Sequence, residues 1–145
     1  MRRLIEIHGN AREVVCVDCG DRGPMALALE RVRSGDPDPG CLDCGGILKS
    51  ATVLFGEHLD HADLMRAQSA ALEADVFLTL GTSLRVHPAA ALPGKAKMRG
   101  ARFVIANAEE TPYDAQADVL LRDPLGAVLT DLVGRVATRA LDQAR

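Results

Sequence analysis

The sequence predicts an α/β fold built on a parallel sheet, with a small zinc-binding module inserted in the same chain. Two observations support this prediction. From residue 75 onward, short apolar runs alternate with helical segments, which is the pattern of parallel strands joined by helices. Before residue 51, the cysteines fall into two matched Cys-x2-Cys pairs, which is the spacing of a structural metal site.

All four cysteines of the 145-residue chain lie in these two pairs, with 21 residues between the pairs. Two residues between cysteines let both thiolates of a turn face one ion, and two turns supply the four sulfurs of a closed tetrahedral zinc site. Two disulfides, one redox pair or four buried structural cysteines explain the matched spacing less well. We therefore predict one structural zinc ion per chain, held by Cys16, Cys19, Cys41 and Cys44.

Composition excludes several classes of function. The net charge is −3 and the pI is about 5.8, which argues against direct nucleic-acid binding through phosphate neutralisation. Aromatic residues are only 3% of the chain, so base-stacking platforms are not expected. No apolar run approaches the length of a membrane span. The lack of a targeting peptide and the thiolate ligands predict a cytoplasmic protein.

The first third of the chain contains the zinc module, residues 14–50. A short strand over residues 14–17 enters the first cysteine turn, and residues 24–32 form a helix that begins at a proline. Residues 34–40 are rich in Gly, Pro and Asp and form a loop that leads to the second turn. Residues 51–59 then leave the module as an extended segment.

The remainder is predicted as alternating helices and strands. Asp60 is an N-cap for a helix over residues 61–74, and Pro93-Gly94 interrupts the helical turns between residues 88 and 99. The final helix opens at Asp123-Pro124 and carries an i, i+3, i+4, i+7 apolar stripe from Leu125 to Val136 that predicts a core face. The predicted strands are residues 75–80, 101–107 and 119–121.

Polar residues follow two of these strands, at residues 81–83 and 107–109. Open parallel sheets bind ligands beyond the carboxyl ends of their strands, where glycine permits close approach and hydroxyl or amide groups bind ribose or phosphate. On spacing alone, polar residues that merely end strands explain the pattern equally well. His8 is similar, because a lone histidine before glycine fits a solvated loop residue as well as a general base.

Taken in order, the motifs resemble those of the sirtuins, the family of NAD-dependent protein deacylases, over about residues 4–133. The matching stretches are Ile7-His8-Gly9, both cysteine pairs with Cys44-Gly45-Gly46, Val53-Leu54-Phe55-Gly56-Glu57, Gly81-Thr82-Ser83-Leu84 with Val86 and Pro88-Ala89-Ala90, Val104-Ile105-Ala106-Asn107 leading to Thr111-Pro112, and Ala117-Asp118.

The resemblance implies an NAD-dependent deacylase that transfers an acyl group from lysine in a protein or peptide to ADP-ribose. It implies a catalytic-loop segment at residues 1–13, the zinc module at 14–50, and the C-terminal part of a Rossmann-like NAD-binding domain at 51–145. His8 is implied as the catalytic base. The implied NAD contacts are Gly81, Thr82, Ser83, Asn107, Ala108, Glu109 and Leu125, and the implied substrate contacts are Val53, Phe55, Gly56 and Glu57.

The resemblance covers only the C-terminal half of a sirtuin. The family's Gly-Ala-Gly-x-Ser turn, its Pro-x-Phe-Arg segment and its Gln-Asn-Ile-Asp segment are not in this sequence. We therefore expect an N-terminally truncated form with a partial Rossmann-like sheet, weak NAD binding by this chain alone, and association through an exposed sheet edge near residues 76–80. The alternative is a catalytically inactive zinc-ribbon module that binds another protein.

Overall fold

The computed structural model describes the backbone of residues 4–143 and the side chains of residues 4–139. It forms two compact units, Met1–Asp63 and Leu64–Arg145. No helix in the described part of the chain is long and apolar enough to cross a bilayer.

The first unit is a three-stranded antiparallel sheet with one helix. Its elements are β1 (Gly9–Cys16), β2 (Arg22–Pro24), α1 (Met25–Arg33) and β3 (Leu48–Thr52), and the strand order is β2-β1-β3. Pro24 immediately precedes α1, where its missing N–H is of no consequence. The predicted helix is confirmed to within one residue. The predicted strand at 14–17 overlaps the end of a longer strand, which stops at Cys16.

The pairing of β1 with β3 is defined by its register at both ends of the two strands. Cys16 pairs with Leu48 at one end, and Gly9 pairs with Thr52 at the other. Between Gly9 and Val14 the register shifts, as in a β-bulge. The extended segment predicted at residues 51–59 stops at Thr52, because the chain then turns at residues 55–56.

The second unit contains the parallel sheet. Its elements are α2 (His61–Glu73), which begins within the first unit, β4 (Val76–Leu80), α3 (Leu92–Met98), β5 (Arg102–Ala106), β6 (Val119–Leu121) and α4 (Leu125–Gln143), and the strand order is β4-β5-β6. Both strand pairs are parallel, with Leu80 opposite Ala106 and Ala106 opposite Leu121. The α/β class and the parallel sheet are therefore confirmed.

Phe103 and Ile105 on the central strand form the centre of the core and are fully buried. The Phe103 ring meets Phe77 and Tyr113 edge-on, at centroid distances of 6.2 and 6.3 Å. This geometry is favourable for aromatic pairs beyond the area that they bury. The alternation along β5 places these two large side chains on one face of the sheet, where α3 also packs.

Two expectations for the helices are wrong in part. Pro93-Gly94 does not interrupt the helix, since Pro93 is the second residue of α3 and lies in the first turn, where no backbone N–H is needed. The stripe of α4 packs only over its first turns. Val128 is buried, but Val133 and Val136 are each 66% exposed, because no described element of this unit covers the later turns.

The opposite face of the parallel sheet is largely uncovered. Leu78, Val104 and Val119 lie side by side in register on this face, and Leu78 and Val119 are exposed. Val76 and Leu80 continue the same face along β4 and are 60% and 38% exposed. Parallel sheets are normally covered on both faces. The sheet therefore presents an apolar surface on this face, and its two outer strands are β4 and β6.

Asp118 joins three elements of the second unit. Its carboxylate accepts hydrogen bonds from the Phe103 N–H and from Lys97 Nζ, both at 2.7 Å, and its own N–H donates to the Phe103 carbonyl at 2.7 Å. The Lys97 ammonium and the Phe103 N–H hold the pKa of Asp118 below its ordinary value of 3.8. The carboxylate thus ties β6 to β5 and to α3.

We predict that Asp118→Ala lowers the free energy of unfolding at pH 7, because the hydrogen bonds from the Phe103 N–H and from Lys97 to a charged group are lost. Asp118→Asn should cost less, because its amide oxygen still accepts from Phe103. Since the folded-state pKa is depressed, the carboxylate stabilises above pH 3.8 and this contribution is lost as the pH falls further. Urea unfolding at several pH values measures both effects. Equal stability of all three proteins would contradict the prediction.

Candidate metal centre and ligand-binding edge

The four cysteine sulfurs of the first unit form one cluster. All four Sγ atoms lie within 4.8 Å of one another, with Cys16 to Cys44 at 3.5 Å and Cys19 to Cys41 at 3.7 Å. A disulfide requires about 2.05 Å. A tetrahedral zinc ion bound at about 2.3 Å places its sulfurs about 3.8 Å apart. The cluster therefore fits one zinc ion, as predicted from the spacing.

The two cysteine turns are copies of one local structure. The N–H groups of Gly20 and Gly45 donate to the carbonyls of Cys16 and Cys41, at 3.0 and 2.9 Å. In return, the N–H groups of Cys16 and Cys41 each donate to the carbonyl five residues later, both at 2.8 Å. Both glycines have positive φ, +78° and +76°, which is why glycine follows each pair. The turns thus aim their thiols at a common point.

The electrostatics of the cluster favour a cation. The backbone N–H of Cys19 is the largest influence on Cys16 and lowers the pKa of that thiol to about 7. The Asp21 N–H favours the Cys19 thiolate, but the Cys44 and Cys16 sulfurs outweigh it and raise the pKa of Cys19 to about 12. Four crowded sulfurs cannot all be thiolates unless a bound cation offsets their repulsion, which Zn²⁺ does.

Arg31, which the sequence analysis missed, fixes the approach to the second cysteine turn. From α1 it donates to the Asp36 carboxylate at 2.9 Å and to the Gly40 carbonyl at 2.6 Å. The loop before Cys41 is thereby attached to the helix. No sequence signal identifies this arginine, because its partners are a loop residue and a carbonyl that only the folded chain brings near.

His8 lies at a turn that requires the glycine after it. The Gly9 N–H donates to the Glu6 carbonyl at 2.7 Å, and Gly9 has a φ of +67°. A Cβ on Gly9 would lie 1.9 Å from the Ala51 carbonyl oxygen on β3. The His8 carbonyl accepts from the Val53 N–H at 2.9 Å. The backbone of His8 is therefore held against the end of β3 while its side chain is exposed.

Residues 54–57 form a second closed turn. The Glu57 N–H donates to the Leu54 carbonyl at 3.0 Å, and the Glu57 carboxylate accepts from the Leu54 N–H and from Lys49, both at 2.9 Å. These two donors, the Leu54 N–H first, lower the pKa of Glu57. Gly56 has a φ of +90°, and Phe55 is fully exposed at the tip. The turn presents Phe55 to solvent, while Glu57 is used to close it.

In the second unit, the predicted cofactor residues lie together at the carboxyl ends of the parallel strands, which form the candidate ligand-binding edge. The Gly81 N–H donates to the Ala106 carbonyl at 2.9 Å, so residues 81–83 and 107–109 leave adjacent strands side by side. Gly81 has a φ of +57°, and a Cβ on it would lie 3.1 Å from Leu125 Cδ2. The structure therefore brings three separately predicted segments together.

Leu84 has a φ of +54°, which is rare for a residue other than glycine. This conformation costs about 1–2 kcal/mol. Its side chain is buried against Phe103 and Ile105, and burial of a leucine contributes about 1.5–3 kcal/mol. Packing thus offsets the strain and fixes the course of the loop that follows Ser83.

The loop after β5 is organised by Arg122, a second residue that the sequence analysis missed. Arg122 Nη1 donates to the carbonyls of Asn107 and Glu109, at 2.8 and 2.7 Å, and Nη2 pairs with the Asp114 carboxylate. Asp114 in turn accepts from the Thr111 hydroxyl at 2.7 Å. The Thr111 hydroxyl is the largest influence on Asp114, and together with the Thr111 N–H and the Arg122 charge it lowers the pKa of that carboxyl.

Comparisons with known proteins identify the family to which this chain belongs. The family model described as the Sir2 family matches residues 1–88, and the chain belongs to that family, the sirtuins. It is 52% identical over 132 residues to NAD-dependent protein deacetylase 2 of Streptomyces coelicolor, covering 91% of this chain and 55% of that protein. NAD-dependent protein deacetylase 1 of Pyrobaculum aerophilum is 44% identical, with 93% and 52% covered.

Solved sirtuin structures show the same fold. The structure of Sir2Tm bound to a propionylated peptide superimposes with a TM-score of 0.84 at 31% identity, covering 94% of this chain and 57% of that one. A Sir2 complex with a p53 peptide and NAD+ gives a TM-score of 0.85 at 31% identity, with 94% and 57% covered. The chain thus spans about half the length of the relatives it matches. The predicted family and its restriction to part of the sirtuin fold are confirmed.

We predict that Cys41→Ser removes the metal, because three thiolates cannot complete the tetrahedral set. The wild-type protein should carry one zinc ion per chain and the variant almost none. Amide exchange in the first unit should rise with the loss, since binding of structural zinc stabilises the fold. Metal analysis with exchange mass spectrometry measures both. Asp43→Asn, in the same turn, is the matched control and should keep its zinc; zinc retained by Cys41→Ser would refute the assignment.

We predict that Gly9→Ala destabilises the protein by about 2 kcal/mol or more, since it adds left-handed strain and a clash with β3. Gly35→Ala is the control, because Gly35 also has positive φ, +101°, but nothing lies within 4 Å of the added Cβ. The difference between the two variants in urea unfolding isolates the close approach at Ala51. If both variants lose the same stability, the clash is not the cause.

Proposed function

We propose that this chain forms part of an NAD-dependent protein lysine deacylase, with NAD as cofactor and an acylated lysine in a protein or peptide as substrate. The observation that carries the proposal is the ligand-binding edge, where Gly81, the loop after β5 and Leu125 meet at the ends of parallel strands. Ligands of open α/β sheets bind at such ends. The names of its relatives support the same activity.

The proposed cofactor residues divide by their chemistry. Gly81 leaves its position free of side-chain atoms, and the Thr82 and Ser83 hydroxyls can bind ribose or phosphate oxygens. The second group, Asn107, Ala108 and Glu109, is proposed to contact the adenosine ribose. Leu125 lies beside Gly81 and is proposed to approach adenine. When bound, NAD supplies a ribose whose bond to nicotinamide can break, so that the acyl group can pass to ADP-ribose.

His8 is proposed as the general base, because an exposed imidazole on a fixed backbone can accept a proton from a hydroxyl group. The substrate is proposed to contact Val53 and the Phe55-Gly56-Glu57 turn. The exposed Phe55 ring is a large apolar surface for it, and an extended peptide pairs with free backbone groups at such sites. The zinc ion is proposed to hold the first unit together and to take no part in the chemistry.

The domain limits at residues 1–13, 14–50 and 51–145 remain our proposal. So does a cytoplasmic location, which is supported by four reduced cysteines suited to a thiolate metal site. We further propose that the sheet associates with another polypeptide through the outer edge of β4. The exposed Val76, Leu78 and Leu80 support this, because an apolar edge strand readily pairs with a further strand.

The test is nicotinamide release from NAD by the zinc-loaded chain with an acetyl-lysine peptide. We expect slow release, because the family's glycine-rich phosphate turn is not in this sequence. His8→Ala should reduce the rate by about 100-fold or more, as removal of a general base does. His58→Ala, which alters another exposed histidine of the same unit, is the control and should retain the rate.

Equal rates for His8→Ala and the wild-type chain would exclude His8 as the base. No peptide-dependent release from the wild-type chain, with one zinc ion still bound, would show that this chain alone does not catalyse deacylation. It would favour the zinc-ribbon interaction module instead.

A further inference from the structure

We propose that Arg122 is a positioning residue that turns the loop after β5 into a pair of backbone N–H donors for the ligand. This inference rests on the proposed function and adds two features to it, the guanidinium behind the loop and the Glu110 N–H. Neither follows from the sequence motifs of the binding edge.

Arg122 fixes the orientation of two peptide groups. Arg122 Nη1 binds the carbonyls of Asn107 and Glu109 at 2.8 and 2.7 Å. In a trans peptide the carbonyl of one residue and the N–H of the next point in opposite directions. The N–H groups of Ala108 and Glu110 therefore point away from the guanidinium.

These N–H groups are free to bind a ligand. Within the described part of the protein, neither the Ala108 N–H nor the Glu110 N–H donates a hydrogen bond, and both residues are exposed. The Asn107 side-chain amide donates to the Glu109 carbonyl at 2.9 Å, which further fixes that peptide. Backbone N–H groups that point outward from one loop can donate to the oxygens of a ligand.

The guanidinium itself is held in place by its second nitrogen. Arg122 Nη2 pairs with the Asp114 carboxylate, and Asp114 accepts from both the N–H and the hydroxyl of Thr111, at 3.2 and 2.7 Å. Arg122 and Asp114 are both partly shielded, with side chains 35% and 22% exposed. A planar fork with several donors can satisfy two carbonyls and a carboxylate together, which a lysine cannot do.

The experiment measures amide exchange over residues 107–111 and the dissociation constant for NAD in the full zinc-loaded chain. In Arg122→Met we expect exchange in the loop and the NAD dissociation constant each to rise by about 10-fold or more, the usual effect of losing hydrogen bonds to a charged group. Arg122→Lys should fall between Arg122→Met and the wild type. Arg99→Met, which removes an exposed arginine of the same unit, should change neither quantity.

Asp114→Asn keeps the side-chain size but removes the charge that pairs with Arg122 and weakens the hydrogen bonds from Thr111. It should raise both quantities slightly, which tests the role of Arg122 even if Arg122→Met does not fold. Loop exchange that rises while NAD affinity stays constant would overturn the positioning role, as would unchanged exchange. No NAD binding by the unsubstituted chain would instead overturn the proposed function, and the exchange ratio alone would then decide whether Arg122 fixes the loop.

Discussion

The pairing of β1 with β3 is the constraint on which the first unit depends. One end of this ladder places Cys16 beside Leu48 and so sets the first cysteine turn. The other end brings Gly9 so close to the Ala51 carbonyl that no side chain fits, and it ties the His8 carbonyl to Val53. A metal site and a candidate catalytic loop are therefore positioned by the same few backbone hydrogen bonds.

The second unit depends in the same way on strand register. Because β4 and β5 are parallel and end together, the loops that follow them emerge next to each other. The shape of those loops is then set by groups behind them. Burial holds Leu84 in a strained conformation, and Arg122 draws two carbonyls to one side. Side chains behind the loops thus determine which backbone groups face outward.

One face of the parallel sheet is covered by the core of the second unit, and the other face is largely uncovered. The core around Phe103 is fully buried on one side, whereas Leu78 and Val119 are exposed on the other. Parallel sheets are normally covered on both faces. The relatives, of which this chain spans about half, contain additional polypeptide.

Cysteine spacing, apolar runs and ordered motifs are local signals, so the cysteine cluster, the α/β class, the parallel strands and the family could be predicted from the sequence alone. The sequence also predicted the polar strand ends that meet at one edge. Only the tertiary structure revealed Arg31, Arg122 and Asp114, since their partners are distant carbonyls and loop residues. It also decided that α3 runs through Pro93 and that the end of the α4 stripe is exposed, because burial depends on which elements pack together.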